Sequence, residues 1–183
     1  MKTDSVMIDL ETLGTIANAT IMSIGAVKFD LNSDYIDDEG FYASISIDSN
    51  LLAGRTISEA TILWWMDQSP AARAVFKEEK QPLEAALDSL SEWVGTEDRF
   101  IWSNGADFDL PMLAHAYEGF GWEPPWKFWN SRCVRTYRSL PAAKKLPKLI
   151  NGHNALADAI NQAVLVQSIQ QRLLLSNQMM VMV

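Results

Sequence analysis

Asp9 and Glu11 follow directly on the first apolar run of the chain, Val6-Met7-Ile8. This run predicts a short strand that is buried on both faces. Because side chains alternate across a strand, the two carboxylates point to the same side. Like charge and the adjoining apolar surface both oppose their ionisation. A divalent cation that prefers oxygen ligands, Mg²⁺ or Mn²⁺, would relieve this conflict. The alternative is a strand end that opens into a solvated loop.

Three further side chains with suitable chemistry lie at predicted element boundaries: Asp109, His153 and Asp158. Asp109 lies where a strand meets a helix, and clefts in α/β sheets form at the carboxyl ends of strands. His153, in the loop that enters the last helix, and Asp158, one turn further, can face one cleft. Four carboxylates and a histidine suit a site with two divalent ions, which lie roughly 3.5–4 Å apart and clamp an in-line phosphoryl displacement.

The elements that must position these residues indicate an α/β fold. Residues 6–8, 21–30 and 41–47 predict three successive strands with short connections, and therefore an antiparallel meander. Residues 99–103 predict a fourth strand. Periodicity does not decide whether residues 134–140 form a fifth strand or a helix. Helices are expected at residues 58–66, 69–76, 82–94, 110–117 and about 155–174.

Length and composition are those of one globular domain over residues 1–183, in which the Met-rich tail 176–183 is either frayed or docked. The apolar stretches are shorter than the roughly 20 residues of a membrane span, and the first residues lack the apolar region of a signal peptide. Cys133 is the only cysteine, so an intrachain disulfide is excluded. We therefore expect a cytoplasmic protein without a membrane partner.

Charge is distributed unevenly along the chain. The net charge is −8, and residues 1–126 hold 22 acidic and 7 basic residues. Residues 127–148 hold seven basic residues and no acidic one. This basic segment is either a footprint for a phosphate backbone or a solvated face that balances the acidic part. On the first interpretation, Arg135, Lys144 and Lys145 bind substrate.

Three motifs, in order, resemble those of the DEDDh 3′–5′ exonucleases, which have the ribonuclease H-like (DnaQ-like) fold. Asp9-Leu10-Glu11-Thr12 is similar to the first motif, and Asn104 with the pair Phe108-Asp109 is similar to the second. His153 with Asp158 five residues later is similar to the third and marks the "h" subclass. The resemblance runs from residue 6 to about residue 170.

Trp64-Trp65 and the segment 132–136 further resemble a phage and bacterial branch of exonucleases or exoribonucleases. Packing in the core and at its rim is the simpler interpretation of the two tryptophans, and stacking on bases is the alternative.

The resemblance implies a mixed five-stranded sheet that begins with the antiparallel meander and is flanked by helices. It implies a metal-dependent 3′–5′ exonuclease with two Mg²⁺ or Mn²⁺ ions. Such an enzyme hydrolyses phosphodiester bonds at the 3′ end of single-stranded DNA or RNA and releases nucleoside 5′-monophosphates.

The resemblance also implies roles for the five motif residues. Asp9 bridges the two ions. Glu11 and Asp158 hold the ion that carries the attacking water, and Asp109 serves the second ion. His153 is the general base.

Substrate contacts are implied at Thr12 and Leu13, which lie where the family meets the 3′-terminal nucleotide, and at Asn104 of the second motif. Asp107 is the competing acid in that motif. It precedes Phe108, whereas the pattern places its aspartate after the aromatic residue. A homodimer is a further expectation, from the family and the apolar tail.

Two other functions fit the same fold. One is an enzyme for short oligonucleotides or structured RNA ends. The other is a non-catalytic module that binds nucleic acid or protein. The complete set of acids and His153 count against the module, because a module without chemistry does not need all five.

Overall fold

A mixed five-stranded sheet forms the centre of the protein in the computed structural model, which describes residues 3–105, 107–147 and 152–181. The strands are β1 (Ser5–Thr12), β2 (Ile21–Phe29), β3 (Phe41–Ser44), β4 (Phe100–Ser103) and β5 (Ser131–Cys133), in the spatial order β3-β2-β1-β4-β5. β1, β2 and β3 pair antiparallel, whereas β4 is parallel to β1 and β5 is parallel to β4. The predicted mixed sheet with its initial meander is confirmed.

Helices cover the sheet. The α-helices are α1 (Ile47–Leu52), α2 (Glu59–Met66), α3 (Leu83–Val94), α4 (Asp109–Gly119), α5 (Val134–Arg138) and α6 (Ala155–Val181), and 3₁₀ helices span Ala72–Lys77, Phe128–Asn130 and Pro141–Ala143. In the part of the chain that the structure describes, no helix combines the length and the hydropathy that a bilayer crossing requires.

The two faces of β1 contribute to different clusters of the core. Val6 and Ile8 belong to the cluster that packs the sheet against α3 and α4. Met7 belongs to the cluster on the opposite face, which packs against α6. Alternation therefore places Asp9 and Glu11 on the face of Met7, toward α6. This orientation decides where a site can form.

Local structure differs from the sequence prediction around α1, and it resolves one choice that the sequence left open. The third strand ends at Ser44, because Ser46 caps α1 by accepting a hydrogen bond from the Ser49 amide at 3.3 Å. The predicted extension of that strand to Ile47 and the loop predicted at 51–55 are therefore wrong where α1 forms. The open choice at 134–140 is resolved as helix α5, which follows directly on the short strand β5.

Candidate active site

The third motif is brought to β1 by a close contact between a helix and a strand. Gly25 of β2 is paired with Asp9 in the antiparallel ladder. A Cβ atom at Gly25 would lie 2.1 Å from the carbonyl carbon of Ala155 and from the amide nitrogen of Leu156. Only glycine permits this approach, which seats the first turn of α6 directly beside the end of β1.

Hydrogen bonds fix the entry to α6. The Asn154 side chain accepts from the Ala157 amide at 3.0 Å, as an N-cap residue does. The Asp158 carboxylate accepts from the backbone amides of Gly152 at 2.9 Å and His153 at 3.0 Å. Asp158 therefore orients the backbone that carries His153, whose φ of 55° lies in the left-handed region.

The second motif contributes Asp109, the first residue of α4. Its Oδ1 accepts a hydrogen bond from the Leu10 amide at 3.2 Å, and the side chain is buried. This bond ties the start of α4 to β1, one residue beyond Asp9. Asp107 is exposed to solvent instead. The structure therefore places Asp109, and not Asp107, beside the other acids.

Asp9, Glu11, Asp109 and Asp158, called here the carboxylate cluster, meet in a cleft of about 460 Å³ that His153 also lines. Burial, followed by the charge of Asp109, raises the pKa of Asp9 well above its usual range. Burial, followed by the charges of Asp158 and Asp109, raises the pKa of Glu11 to about 8. Burial likewise raises the pKa of Asp109 to about 7. The cluster thus strongly opposes its own ionisation.

A bound cation would remove this conflict, and the donor set fits one. Glu11, His153 and Asp158 can each offer one ligand atom, and these atoms all lie within 4.8 Å of one another. Asp9 and Asp109 add carboxylate oxygen atoms in the same cleft. Hard oxygen donors are the ligands that Mg²⁺ and Mn²⁺ prefer. The chemistry of the residues present therefore fits divalent metal ions.

Aromatic side chains form part of the cleft wall. The ring of His153 lies edge-on to Trp64, with ring centroids 5.0 Å apart, and to Trp65 at 5.9 Å. Trp65 is buried, and its Nε1 donates to the Thr12 carbonyl at 2.9 Å. Trp64 is 44% exposed. Trp65 is thus a packing residue, whereas Trp64 presents an aromatic surface beside the candidate base, with Phe108 also in the lining.

The predicted substrate contacts divide into two groups. Thr12, Asn104 and Arg135 line the cleft. The Thr12 hydroxyl already donates to the Gly14 carbonyl at 2.8 Å. The Arg135 guanidinium lies against Gly105 and lowers the pKa of Asp109, in opposition to the larger effect of burial. Among the described basic residues of the 127–148 segment, Arg135 is therefore the one that lines the cleft of the carboxylate cluster.

The other three predicted contacts lie away from the cleft lining. Leu13 is 2% exposed and packs in a small cluster with Met22 and Trp65. Lys144 and Lys145 are exposed and follow the 3₁₀ helix Pro141–Ala143. Direct contact of these three side chains with a nucleotide in the cleft stays a prediction.

Gln162, which the sequence analysis did not single out, also belongs to this site. Its Nε2 donates to Oδ1 of Asp9 at 2.7 Å. It lies four residues after Asp158 on α6, and residues four apart share a face of a helix. That spacing is the signal in the sequence that could have identified it.

Comparison with known proteins gives one family match and one relative. The family model described as "3'-5' exoribonuclease Rv2179c-like domain" matches residues 4–170. An exodeoxyribonuclease of Enterobacteria phage T4 is 26% identical over 156 residues, which cover 71% of this chain and 68% of the phage protein.

Solved structures of exonucleases share the fold. Exonuclease I from Methylocaldum szegediense superposes with a TM-score of 0.62 at 13% identity, over 92% of this chain and 40% of that one. E. coli Exonuclease I in complex with a 5cy-dA13 oligonucleotide gives a TM-score of 0.63 at 13% identity, over 100% and 45% of the two chains. This chain thus spans less than half the length of either Exonuclease I. The likeness confirms the ribonuclease H-like fold of DnaQ-like exonucleases.

Proposed function

The chain belongs to the 3'-5' exoribonuclease Rv2179c-like domain family, and we propose that it releases nucleoside 5′-monophosphates from the 3′ end of single-stranded nucleic acid with the help of two divalent ions. The observation that carries this proposal is the convergence of the carboxylate cluster and His153 in one cleft. A non-catalytic module would have no use for four acids held together against their own repulsion.

The carboxylate cluster would hold Mg²⁺ or Mn²⁺. Such ions, when bound, supply charge neutralisation and polarise the scissile phosphate. Asp9 would be a ligand shared by the two ions, Glu11 and Asp158 would hold one of them, and Asp109 would hold the other. Asp158 is then a ligand and also the acceptor that holds the backbone of His153. It links the ion site to the base.

His153 takes the proton of the attacking water at a ring nitrogen. Its ring is half-buried and lies near Trp64, Trp65 and the carboxylates of Glu11 and Asp158. This packing holds the imidazole in place before substrate arrives, which general-base catalysis requires. Removal of the base should lower kcat by about 10²–10⁴.

The 3′-terminal nucleotide occupies the cleft, with its base against the exposed face of Trp64. Stacking of a base on an aromatic side chain contributes about 1–3 kcal/mol and tolerates any sequence. Arg135 faces the phosphate and offsets part of the negative charge of the site. Thr12 and Asn104 lie in the same lining and contact the sugar or the base. A base that stacks on Trp64 has left its duplex, so an unpaired end is the substrate.

RNA is the first candidate substrate, because the matching family is described as an exoribonuclease and the match covers residues 4–170. DNA is the second candidate, favoured by the relative from phage T4, which is named an exodeoxyribonuclease. Recognition of RNA depends on contacts with the 2′-hydroxyl. Short oligonucleotides and structured RNA ends are narrower classes of substrate for the same activity.

One assay tests these statements. Matched 5′-labelled RNA and DNA single strands, together with their duplexes and with dinucleotides, are incubated with Mg²⁺, with Mn²⁺ or with a chelator. We expect a ladder that shortens stepwise from the 3′ end, 5′-monophosphates as products, and no reaction with the chelator.

The His153→Ala variant is the comparison in this assay. We expect its kcat to be lower by the factor given above and its metal affinity to be unchanged. Internal cleavage, 3′-phosphate products or turnover in the chelator would contradict the proposed reaction. Binding of strands without any release of mononucleotides would instead favour the non-catalytic module.

A further inference from the structure

Gln162 is a polar side chain enclosed in the core beside the carboxylate cluster. It is 1% exposed and projects from α6 toward β1. Its Nε2 donates to Asp9 Oδ1 at 2.7 Å. Its Oε1 is buried and has no hydrogen-bond partner in the described part of the structure. One end of the amide is thus engaged with Asp9, and the other end is a free acceptor.

The orientation of this amide is fixed by charge. In the ionised form of Asp9, which cation binding requires, an amide turned over would place Oε1 against Oδ1, and two acceptors would then repel each other inside the protein. The donor must therefore point to Asp9, and the acceptor must stay unpaired. A buried acceptor without a partner is costly and calls for a specific reason. An apolar side chain of similar volume would fill the same space without that cost.

We propose that Gln162 is a positioning residue that holds Asp9 in the orientation required to bind divalent cations. This inference rests on the proposed function, because it concerns the same metal-dependent site. Nε2 engages Oδ1 and so fixes the rotation of the carboxylate, which leaves Oδ2 available as a ligand. The unpaired Oε1 is the cost of this arrangement, because it is buried away from the water of the cleft.

The chain offers a matched control on the same helix. Gln167 is also buried, at 4% exposure, and its Nε2 donates to the backbone carbonyls of Asp30 at 3.0 Å and Tyr35 at 2.9 Å. These contacts tie α6 to the loop after β2, away from the cleft. A substitution of Gln167 therefore reports the effect of losing a buried glutamine without a change at Asp9.

The test compares Gln162→Met and Gln167→Met with the wild type. Methionine keeps the length and approximate volume of glutamine and removes both polar groups. Binding of Mn²⁺ is measured by titration calorimetry on the whole chain without nucleic acid, and the melting temperature is recorded for each protein. Loss of a hydrogen-bond partner behind a metal ligand typically weakens metal binding or activity by about 10–100-fold. We expect Gln162→Met to weaken Mn²⁺ binding by that factor and Gln167→Met to change it less than twofold.

Turnover as a function of Mn²⁺ concentration gives a second measurement. Because Gln162→Met retains every ligand, the half-saturating Mn²⁺ concentration should rise and kcat at saturating Mn²⁺ should return to within a few-fold of wild type. A purely structural role would lower the melting temperature and leave the Mn²⁺ dependence unchanged. If Gln162→Leu is needed because Gln162→Met does not fold, the same comparison applies.

The outcomes separate this inference from the proposed function. Wild-type affinity for Mn²⁺ in Gln162→Met, or an equal loss in Gln167→Met, would overturn the positioning role while the exonuclease proposal stands. Failure of the wild-type protein to bind Mn²⁺ at all would overturn both.

Discussion

Replacement of Gly25 by alanine should separate the third motif from the first. An added Cβ would lie 2.1 Å from the backbone of Ala155 and Leu156, whereas ordinary van der Waals contact begins near 3.4 Å. The start of α6 must therefore move by about 1.3 Å, because both partners are backbone atoms. Since Gly25 is paired with Asp9, this shift carries Asp158 and His153 away from Asp9.

The expected losses follow from that displacement. A misplacement of about 1 Å in a catalytic group can lower the rate about 10²-fold. Overpacking of a core typically lowers the free energy of unfolding by about 1–3 kcal/mol. We therefore expect Gly25→Ala to reduce kcat about 100-fold, and thermal unfolding to show a melting temperature several degrees lower. Release of mononucleotides is measured well below the melting temperature, so that all molecules are folded.

The control for Gly25→Ala is Gly119→Ala. Gly119 is the last residue of α4, and a Cβ there would meet nothing within 4 Å. Alanine favours helix over glycine by up to about 1 kcal/mol, so this variant should be active and no less stable than the wild type. Full activity and an unchanged melting temperature in Gly25→Ala would refute the claim that this close contact positions the site.

Three further predictions address the site directly. Asp109→Asn should nearly abolish turnover and Asp107→Asn should cost little, because of these two residues only Asp109 lines the cleft. The reverse order in a steady-state assay would mean that the second motif was misassigned. Burial raises the pKa of Glu11 from 4.5 to about 8 in the folded protein. The neutral carboxyl stabilises the fold fully below about pH 4.5, and this stabilisation is lost as the pH rises through about 8. In the absence of metal, thermal unfolding should therefore show that Glu11→Gln is more stable than the wild type, by a margin that grows from about pH 5 to about pH 8. A margin independent of pH would contradict the burial of this charge. Arg135→Glu should raise KM and reduce the salt dependence of kcat/KM more than Lys144→Glu does, because Arg135 alone of these two lines the cleft; equal effects on both would assign phosphate binding to the whole basic segment.

The sequence predicts much of the candidate site. The period of two in a strand places Asp9 and Glu11 on one side, and the structure shows that this side faces α6. The motif that the chain resembles has its aspartate after the aromatic residue and so selects Asp109 over Asp107, in agreement with their burial. The first feature follows from strand periodicity, whereas the second rests on the resemblance to a known family.

Other features depend on contacts between distant parts of the chain. A glycine inside a predicted strand, as at Gly25, indicates a close backbone approach, but its partner, the first turn of α6, is set only by the packed fold. The role of Gln162 depends on a neighbour 153 positions away in the chain. The charged residues of the basic segment are all positive, so the sequence does not distinguish among them. The fold does, because it places Arg135 in the cleft and leaves Lys144 outside its lining.

One local prediction failed, and one strand went unpredicted, for identifiable reasons. Residues 41–47 alternate as a strand does, but Ser46 caps a helix, and the cap ends the strand at Ser44. Strand β5 has only three residues, Ser131–Cys133, and their polar sequence does not predict a strand. The pairing with β4 stabilises the extended conformation. Pairing and capping outweigh intrinsic preference in such short segments.

The central claim depends most on Asp9, because it lies within β1, contacts Gln162 and shares the cleft with the other acids. The most direct test is the rate at which Asp9→Asn releases 5′-monophosphates from a single-stranded 3′ end in Mg²⁺. The substitution keeps the volume of the side chain and removes its charge, which also relieves repulsion in the metal-free protein. The account predicts a folded protein with a melting temperature no lower than wild type and no detectable release. Release at a rate near that of the wild type would contradict the assignment of this cleft as a metal-dependent active site.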